Sequence, residues 1–255
     1  MSFLASLFDN KSEKKAFTPC LPSGQRIYAV GDIHGRLDLL QQLHVLISAD
    51  YDASGSVAIP ILIHLGDYID RGTKTKETID YLLSDPLPIF WKINLKGNHE
   101  AALLTFQDDP EIADLWLKFG GQATLQSYGI IPPSLPLTPE ATTALHKAMQ
   151  QHIPMAHFVF FNGLKTFHEA GDYLFVHAGV DPDAPHEREE EILLWIREPF
   201  LRAKDHHGKV VVHGHSIHAD PQLLPNRIGI DTGAYATDRL TAVVLEGEQQ
   251  YFLQT

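Results

Sequence analysis

Five apolar, strand-length runs punctuate this chain, and each ends in a short polar cluster. Arg26–Val30 leads into Gly31-Asp32-Ile33-His34-Gly35, and Ile59–Leu65 into Gly66-Asp67-Tyr68-Ile69-Asp70-Arg71-Gly72. Ile89–Leu95 precedes Gly97-Asn98-His99-Glu100, Tyr173–Val176 precedes His177-Ala178-Gly179, and Lys209–Val212 precedes His213-Gly214-His215. Such short apolar runs before glycine-marked clusters read as strands. Glycine permits a tight turn out of each strand, so the neighbouring Asp, Asn and His converge at one sheet edge.

Between these strands the apolar period changes to that of a helix. Leu39, Leu40, Leu43, Leu46 and Ile47 share one helical face; Ile79, Leu82 and Leu83 mark a second helix, and a third begins around Glu100. Strand, polar loop and helix therefore recur three times, which predicts an α/β sheet with its active groups at the strand ends. From about 108 to 153 the pattern becomes helical around Gly120-Gly121 and the Pro-bearing stretch Ile131–Pro139. We read this as a helical excursion that either shapes a groove or simply packs beneath the sheet.

The C-terminal part is richer in strands. Phe158–Phe161, Leu164–Glu169, Tyr173–Val176, Lys209–Val212, Arg227–Asp231, Leu240–Leu245 and Gln249–Leu253 all fit, with Glu246-Gly247-Glu248 as a turn between the last two. One helix, about Glu187–Leu201, interrupts them, and its run Glu187–Glu191 reads as a solvated face. The expected fold is α/β: a two-sheet β-sandwich flanked by helices, with residues 25–255 as one domain and 1–24 as a flexible tail. Trp91 and Trp116 read as core residues rather than substrate platforms.

Length and charge narrow the picture further. At 255 residues the chain can bury a substantial single core. A formal charge of −12 argues against general affinity for nucleic acid or anionic membrane, yet allows a phosphate substrate where bound cations supply local positive charge. The single Cys20 excludes an intrachain disulfide and fits a reducing, cytoplasmic setting. Phe3, Leu4, Leu7 and Phe8, followed by Lys11, Lys14 and Lys15, are too short and broken a stretch for a membrane span. They form a frayed tail or a short amphipathic contact, without stable membrane insertion. Oligomeric state is open.

A mixture of carboxylate, amide and imidazole donors suits divalent Mn, Fe or Zn. Hydrolysis of a phosphate ester needs cations on the phosphoryl oxygens, an activated water and a proton for the departing alkoxide. In a two-ion site one carboxylate bridges, and Asp67 is the candidate. Asp32 and His34 suit the first ion; Asn98, His177 and a histidine of the last cluster suit the second.

GDIHG, GDYIDRG, GNHE, the HAG tripeptide and Gly214-His215-Ser216 resemble the phosphoprotein phosphatase family of calcineurin-like metallophosphoesterases, most closely its bacterial and phage members. The resemblance covers about Arg26 to Val244. It implies two divalent ions, Mn2+ foremost with Fe or Zn as alternatives, and a water or hydroxide between them that attacks phosphorus. It selects His215 as the ligand and leaves His213 as a neighbouring, packed histidine. It implies His99 as general acid, Asp70 as the carboxylate orienting it, and Arg71 and Arg197 as phosphate clamps. Asn98 and Tyr235 are implied at the substrate, Tyr235 as a loop aromatic after Asp231-Thr232-Gly233-Ala234. A planar guanidinium holds two phosphoryl oxygens at once, which suits such a clamp.

Taken singly, Asp70 and Arg71 fit a surface ion pair and His99 a helix cap, but surface pairs need no such ordered motifs. The remaining histidines, His44, His146, His152, His157, His168, His206, His207 and His218, carry no motif and read as surface or core. The expected function is hydrolysis of phosphoserine or phosphothreonine in proteins or peptides, with phosphotyrosine also in range. A dinucleoside polyphosphate hydrolase of the diadenosine tetraphosphate type is the alternative; such enzymes usually lack the acidic residue of the Asp-Arg-Gly ending. A non-catalytic, metal-bearing binding protein is the alternative of another class.

Overall fold

A computed structural model describes residues 17–205 and 208–255, so the predicted N-terminal amphipathic stretch, His206 and His207 lie outside the described residues. Two five-stranded sheets form the centre. The first contains β1 (Gln25–Val30), β2 (Ile59–His64), β3 (Trp91–Asn94), β9 (Thr241–Glu246) and β10 (Gln249–Gln254) in the order β10-β9-β1-β2-β3. The second contains β4 (Phe167–Ala170), β5 (Tyr173–Val176), β6 (Val210–His213), β7 (Gln222–Leu223) and β8 (Arg227–Gly229) in the order β4-β5-β6-β8-β7. β1, β2 and β3 run parallel, as do β5, β6 and β8, so both triplets deliver their C-terminal loops to common edges.

Alternation along each strand explains the continuous apolar runs. Ile27, Ala29, Ile61 and Ile63 face the other sheet and pack with Phe175, Val210 and Val212. Tyr28, Val30 and Leu62 point the opposite way, onto Leu39, Leu40, Leu43 and Ile47 of helix α1 (Leu37–Ser54). Across the second sheet, Leu174, Val176 and Val211 meet Leu193 and Phe200. The central strands β1, β2, β5, β6 and β9 are therefore buried on both faces, and burial of a large aliphatic side chain stabilises by roughly 1.5–3 kcal/mol.

The expected two-sheet architecture with outer helices is present. Helices α2 (Thr75–Leu83) and α3 (Asn98–Asp108) follow β2 and β3; α3 starts at Asn98, where the Gly97 N–H donates to the Glu100 side chain. The helical excursion comprises a turn at Pro110–Ile112, α4 (Ala113–Trp116), a wide turn at Leu117–Gly121, α5 (Gln122–Ser127) and α6 (Pro139–His152).

Several details differ from expectation. Phe158–Phe161 is not a strand but part of α7 (Met155–Asn162), which extends the helical region beyond 153. His157, Phe158 and Phe161 are its buried residues, a helical spacing that four consecutive apolar positions do not distinguish from a strand. The predicted helix at 187–201 is two, α8 (Glu190–Trp195) and α9 (Glu198–Arg202), broken where Ile196 turns extended before Pro199. β3 begins at Trp91 rather than Ile89. Trp91 itself is 69% exposed on this edge strand, so it is not a core residue, whereas Trp116 is fully buried. Leu21 packs between the sheets and donates its N–H to Gly247, so the packed chain begins before the expected boundary at 24. Among the described residues, no helix is long and apolar enough to cross a membrane.

Candidate metal centre and active site

The five polar clusters meet at the C-terminal edges of the parallel strands. Asp67 lies at the middle. Its Oδ1 is 3.4 Å from His177 Nε2, and its Oδ2 is 3.5 Å from His34 Nε2 and 3.8 Å from His99 Nε2. Asn98 Oδ1 is 2.9 Å from His177 Nε2 and 2.8 Å from His215 Nδ1. Two groups with metal-ligand spacing result: His34, Asp67 and His99 on one side, and Asp67, His177 and His215 on the other. All five residues are buried. Asp67 is common to both, which is where the sequence expects a bridging carboxylate.

Backbone carbonyls set the tautomers. His34 Nδ1 lies 2.8 Å from Ile69 O, and His177 Nδ1 lies 3.0 Å from Leu65 O. A carbonyl only accepts, so each Nδ1 carries the hydrogen and each Nε2 turns a lone pair toward Asp67. Burial, reinforced by neighbouring imidazoles, holds both rings well below the usual histidine range and therefore neutral. Lone pairs on Nε2 thus confront carboxylate and amide oxygens, all acceptors. Such an arrangement is repulsive alone and favourable around cations, so the donor set fits two divalent metals.

Asp32 adds a second buried carboxylate. It accepts from the His215 N–H at 3.1–3.2 Å, and a Cβ on Gly214 would stand 2.1 Å from its Oδ1, so only glycine permits this approach. Asp231, which sequence reasoning did not assign to the site, is buried beside it. Burial raises the Asp32 carboxyl well above its usual range, with the charges of Asp231 and Asp67 adding to the effect. Burial likewise pushes Asp231 up to about 6. Charge of opposite sign is what such a carboxylate cluster lacks. The overlooked signal was the same as elsewhere: Asp231 ends an apolar run just before Thr232-Gly233.

Glu100 was likewise missed. It is fully buried and accepts the N–H groups of Gly97, Asp67, Tyr68 and Ile69, tying the second cluster to the third. Burial and the charge of Asp67 raise its carboxyl to about 8, against the pull of those amides. The loops that meet at the site are strained: His34, Asp67, Asp70, Arg71 and His215 all have positive φ without being glycine. Each such residue costs on the order of 1 kcal/mol, and strain of this kind concentrates at functional sites.

Beside the cluster, His99 Nδ1 is 2.7 Å from Asp70 Oδ2. Burial disfavours a charged His99, but Asp67 and the Asp70 hydrogen bond outweigh it, and the imidazole is raised above its usual value. Arg71 Nη1 lies 3.0 Å from His34 Nε2, and its guanidinium sits 4.9 Å from the centre of the Tyr235 ring. Tyr235 also stands edge-on to His34 at 5.4 Å. Arg197, exposed between α8 and α9, reaches Ser216 Oγ at 3.3 Å, next to His215. Every residue assigned from sequence is therefore gathered here. His213 belongs to neither metal-spaced group; its Nδ1 faces Gly214 O and its ring packs on Phe200.

Comparison with known proteins agrees with this geometry. A profile described as calcineurin-like phosphoesterase matches residues 25–244. The chain belongs to that family. Over 98 residues, 38% of this chain, it is 39% identical to serine/threonine-protein phosphatase 2 of Escherichia coli (strain K12). Over 83 residues, 31% of this chain, it is 39% identical to serine/threonine-protein phosphatase 2B catalytic subunit A2 of Saccharomyces cerevisiae. These matches span 39% and 12% of the relatives' own lengths, and they bear out the resemblance to phosphoprotein phosphatases. Among solved structures, one titled as a putative diadenosine tetraphosphatase is similar with a TM-score of 0.57 at 20% identity, over 93% of this chain and 98% of its own. A mutant of a cold-active protein tyrosine phosphatase is similar with a TM-score of 0.59 at 13% identity, over 93% and 83%. At those identities the likeness shows a calcineurin-like phosphoesterase fold.

Proposed function

We propose that this protein is a metal-dependent protein phosphatase that hydrolyses phosphoserine and phosphothreonine monoesters, with phosphotyrosine in range. The observation that carries this reading is the 2.7 Å contact between His99 Nδ1 and Asp70, which turns His99 Nε2 toward Asp67. An alkoxide leaving group needs a proton, and this pair is built to supply one. Asp32, His34 and Asp67 would hold one ion; Asp67, Asn98, His177 and His215 would hold the other. Two divalent ions, Mn2+ foremost, supply Lewis-acid polarisation of the phosphoryl group and lower the pKa of water.

The chain's own groups do the rest. Arg71 and Arg197 clamp the phosphoryl oxygens from two sides, and Asn98 faces the same space. Tyr235 walls the entrance and steadies the Arg71 guanidinium through its ring face. Asp70 holds the Nδ1 hydrogen of His99, leaving Nε2 to carry the transferable proton. As a water oxygen bonds to phosphorus and the P–O bond to the serine or threonine oxygen breaks, Nε2 gives that proton to the departing oxygen. A free hydroxyl and inorganic phosphate result, and His99 is reprotonated from solvent. We place the protein in the cytoplasm on the free thiol of its single Cys20.

Dinucleoside polyphosphate cleavage needs leaving-group protonation less, because the departing group is already a weak base; the Asp70–His99 pair favours an ester. The deciding experiment is kcat/KM of Mn-loaded protein on a phosphothreonine peptide, a phosphotyrosine peptide and diadenosine tetraphosphate. Preference for the phosphothreonine peptide supports the proposal. Preference for the dinucleotide overturns it, and turnover of none of the three points to a binding protein.

A further inference from the structure

The helical excursion does more than pack. Asp70 has two donors beyond His99, and both come from this region. Trp116 Nε1 donates to Asp70 Oδ2 at 3.0 Å, and Thr124 Oγ1 donates to Asp70 Oδ1 at 2.5 Å. The same Thr124 oxygen accepts the Asp70 backbone N–H at 2.8 Å, so one hydroxyl fixes both main chain and carboxylate. All four of these residues are essentially out of solvent: Asp70, Trp116 and Thr124 are 0% exposed, and His99 is 2%.

Two glycines make this approach possible. A Cβ on Gly121 would stand 2.5 Å from the Trp116 ring, and one on Gly120 would stand 2.9 Å from Arg71. Gly120 has φ +116 and accepts the Arg71 N–H, so the wide turn at Leu117–Gly121 is moulded around Asp70 and Arg71 together. Phe106 of α3 flanks the Trp116 indole with ring centres 5.2 Å apart, completing a rigid seat.

We propose that Trp116 and Thr124 are positioning residues that lock the Asp70 carboxylate plane so that it holds His99 in the proton-donating orientation. Rotation of Asp70 is the motion they block. Left with His99 alone, the carboxylate would keep one bond and gain freedom about χ1 and χ2, and Asp70 itself sits in a left-handed backbone conformation that local sequence does not enforce. With three donors on two oxygens, only one orientation satisfies every group in this buried setting. Among the described residues, the side-chain hydrogen bonds of Trp116 and Thr124 go to Asp70 and Thr75 and not to the metal-spaced residues, so their effect should fall on proton delivery. The proposal rests on His99 being the acid.

The test uses Trp116→Phe, which keeps a ring but removes the N–H, and Thr124→Val, which keeps the shape but removes the hydroxyl. Thr124→Ser is the conservative control. Turnover is measured with an alkyl phosphate, which needs its leaving group protonated, and with p-nitrophenyl phosphate, which scarcely does. Expected is a fall in kcat of about 10–100-fold on the alkyl ester, a much smaller fall on the aryl ester, unchanged KM and metal content, and recovery in Thr124→Ser. In metal-free protein, the proton resonance of His99 Nδ1–H should move upfield in both variants. Equal losses on the two esters, or an unmoved resonance, overturn the proposal. His99→Asn separates the two ideas. If it shows no leaving-group discrimination, the acid assignment fails; if it does while Trp116→Phe and Thr124→Val do not, the positioning proposal fails alone.

Discussion

His34 Nε2 and Asp67 Oδ2 face each other across 3.5 Å as two acceptors, because Ile69 O has already claimed the hydrogen on Nδ1. The folded chain thus stores repulsion that a cation relieves. Divalent metal should stabilise it, by about 2.7 kcal/mol at a hundredfold excess over Kd. For a chain of this size that corresponds to roughly 5–10 °C in Tm. Thermal unfolding with and without Mn2+ measures the shift, and metal analysis gives the stoichiometry. Asp67→Asn should bind fewer than two ions and lose most of the shift. An unchanged shift in that variant would remove Asp67 from the bridge.

His99→Asn should behave differently. The amide keeps a polar side chain at the start of α3 but cannot give up a proton. Metal content should stay as in the parent, while kcat on a phosphothreonine peptide falls by about 10²–10⁴-fold. Loss of metal instead would make His99 a ligand, consistent with its 3.8 Å distance from Asp67, and would refute its role as acid.

These two residues also show what was legible in the sequence. Asp67 and His99 could be named from sequence because each follows a strand run within a glycine-marked loop, where local geometry dictates where the side chain goes. Trp116 and Thr124 could not, since they reach Asp70 from 46 and 54 positions away through the packing of the excursion. Nothing local distinguishes a tryptophan that donates to a buried carboxylate from one that only fills space. Trp91 failed for the converse reason: its alternation with Ile93 suits a strand and puts both on one face, but β3 is an edge strand, and only Ile93 is covered while Trp91, its first residue, is left exposed. Phe158–Phe161 had too few residues to reveal a period.

Arg71 offers a third test. Its guanidinium donates to the lone pair on His34 Nε2 that a metal would take, so the two compete. Arg71→Ala should therefore not weaken metal binding, although it removes one phosphate clamp. Expected are an unchanged or tighter Mn2+ Kd by calorimetry and an increase of at least about 10-fold in KM, the scale of a lost charged hydrogen bond. Weaker metal binding would mean that Arg71 supports the metal loops rather than the substrate.

The last prediction concerns pH, and it lies away from the metal cluster. His44 Nε2 and His64 Nε2 are 3.2 Å apart in the core between α1 and β2. His64 Nδ1 faces Asn94 Oδ1 at 2.9 Å and His44 Nδ1 faces the Tyr81 hydroxyl at 3.1 Å. One proton order satisfies the chain: Tyr81 donates to His44, His44 to His64, and His64 to Asn94. Every ring is neutral in that order. Burial, then the partner imidazole and Lys92, lowers His44 to about 3. Burial, aided by Lys92 and opposed by Asn94, lowers His64 to about 4. Unfolded histidine titrates near pH 6.5. Between that pH and the folded values the unfolded chain binds more protons, so stability is fully present above pH 6.5 and falls as pH drops through the window. Each imidazole contributes a slope of up to about 1.4 kcal/mol per pH unit there. His44→Gln keeps an N–H donor for His64 but does not titrate. Urea unfolding of metal-free protein at pH 7.5 and 5.0 should show a smaller acid loss in this variant than in the parent. An identical loss would place the acid sensitivity of the fold elsewhere.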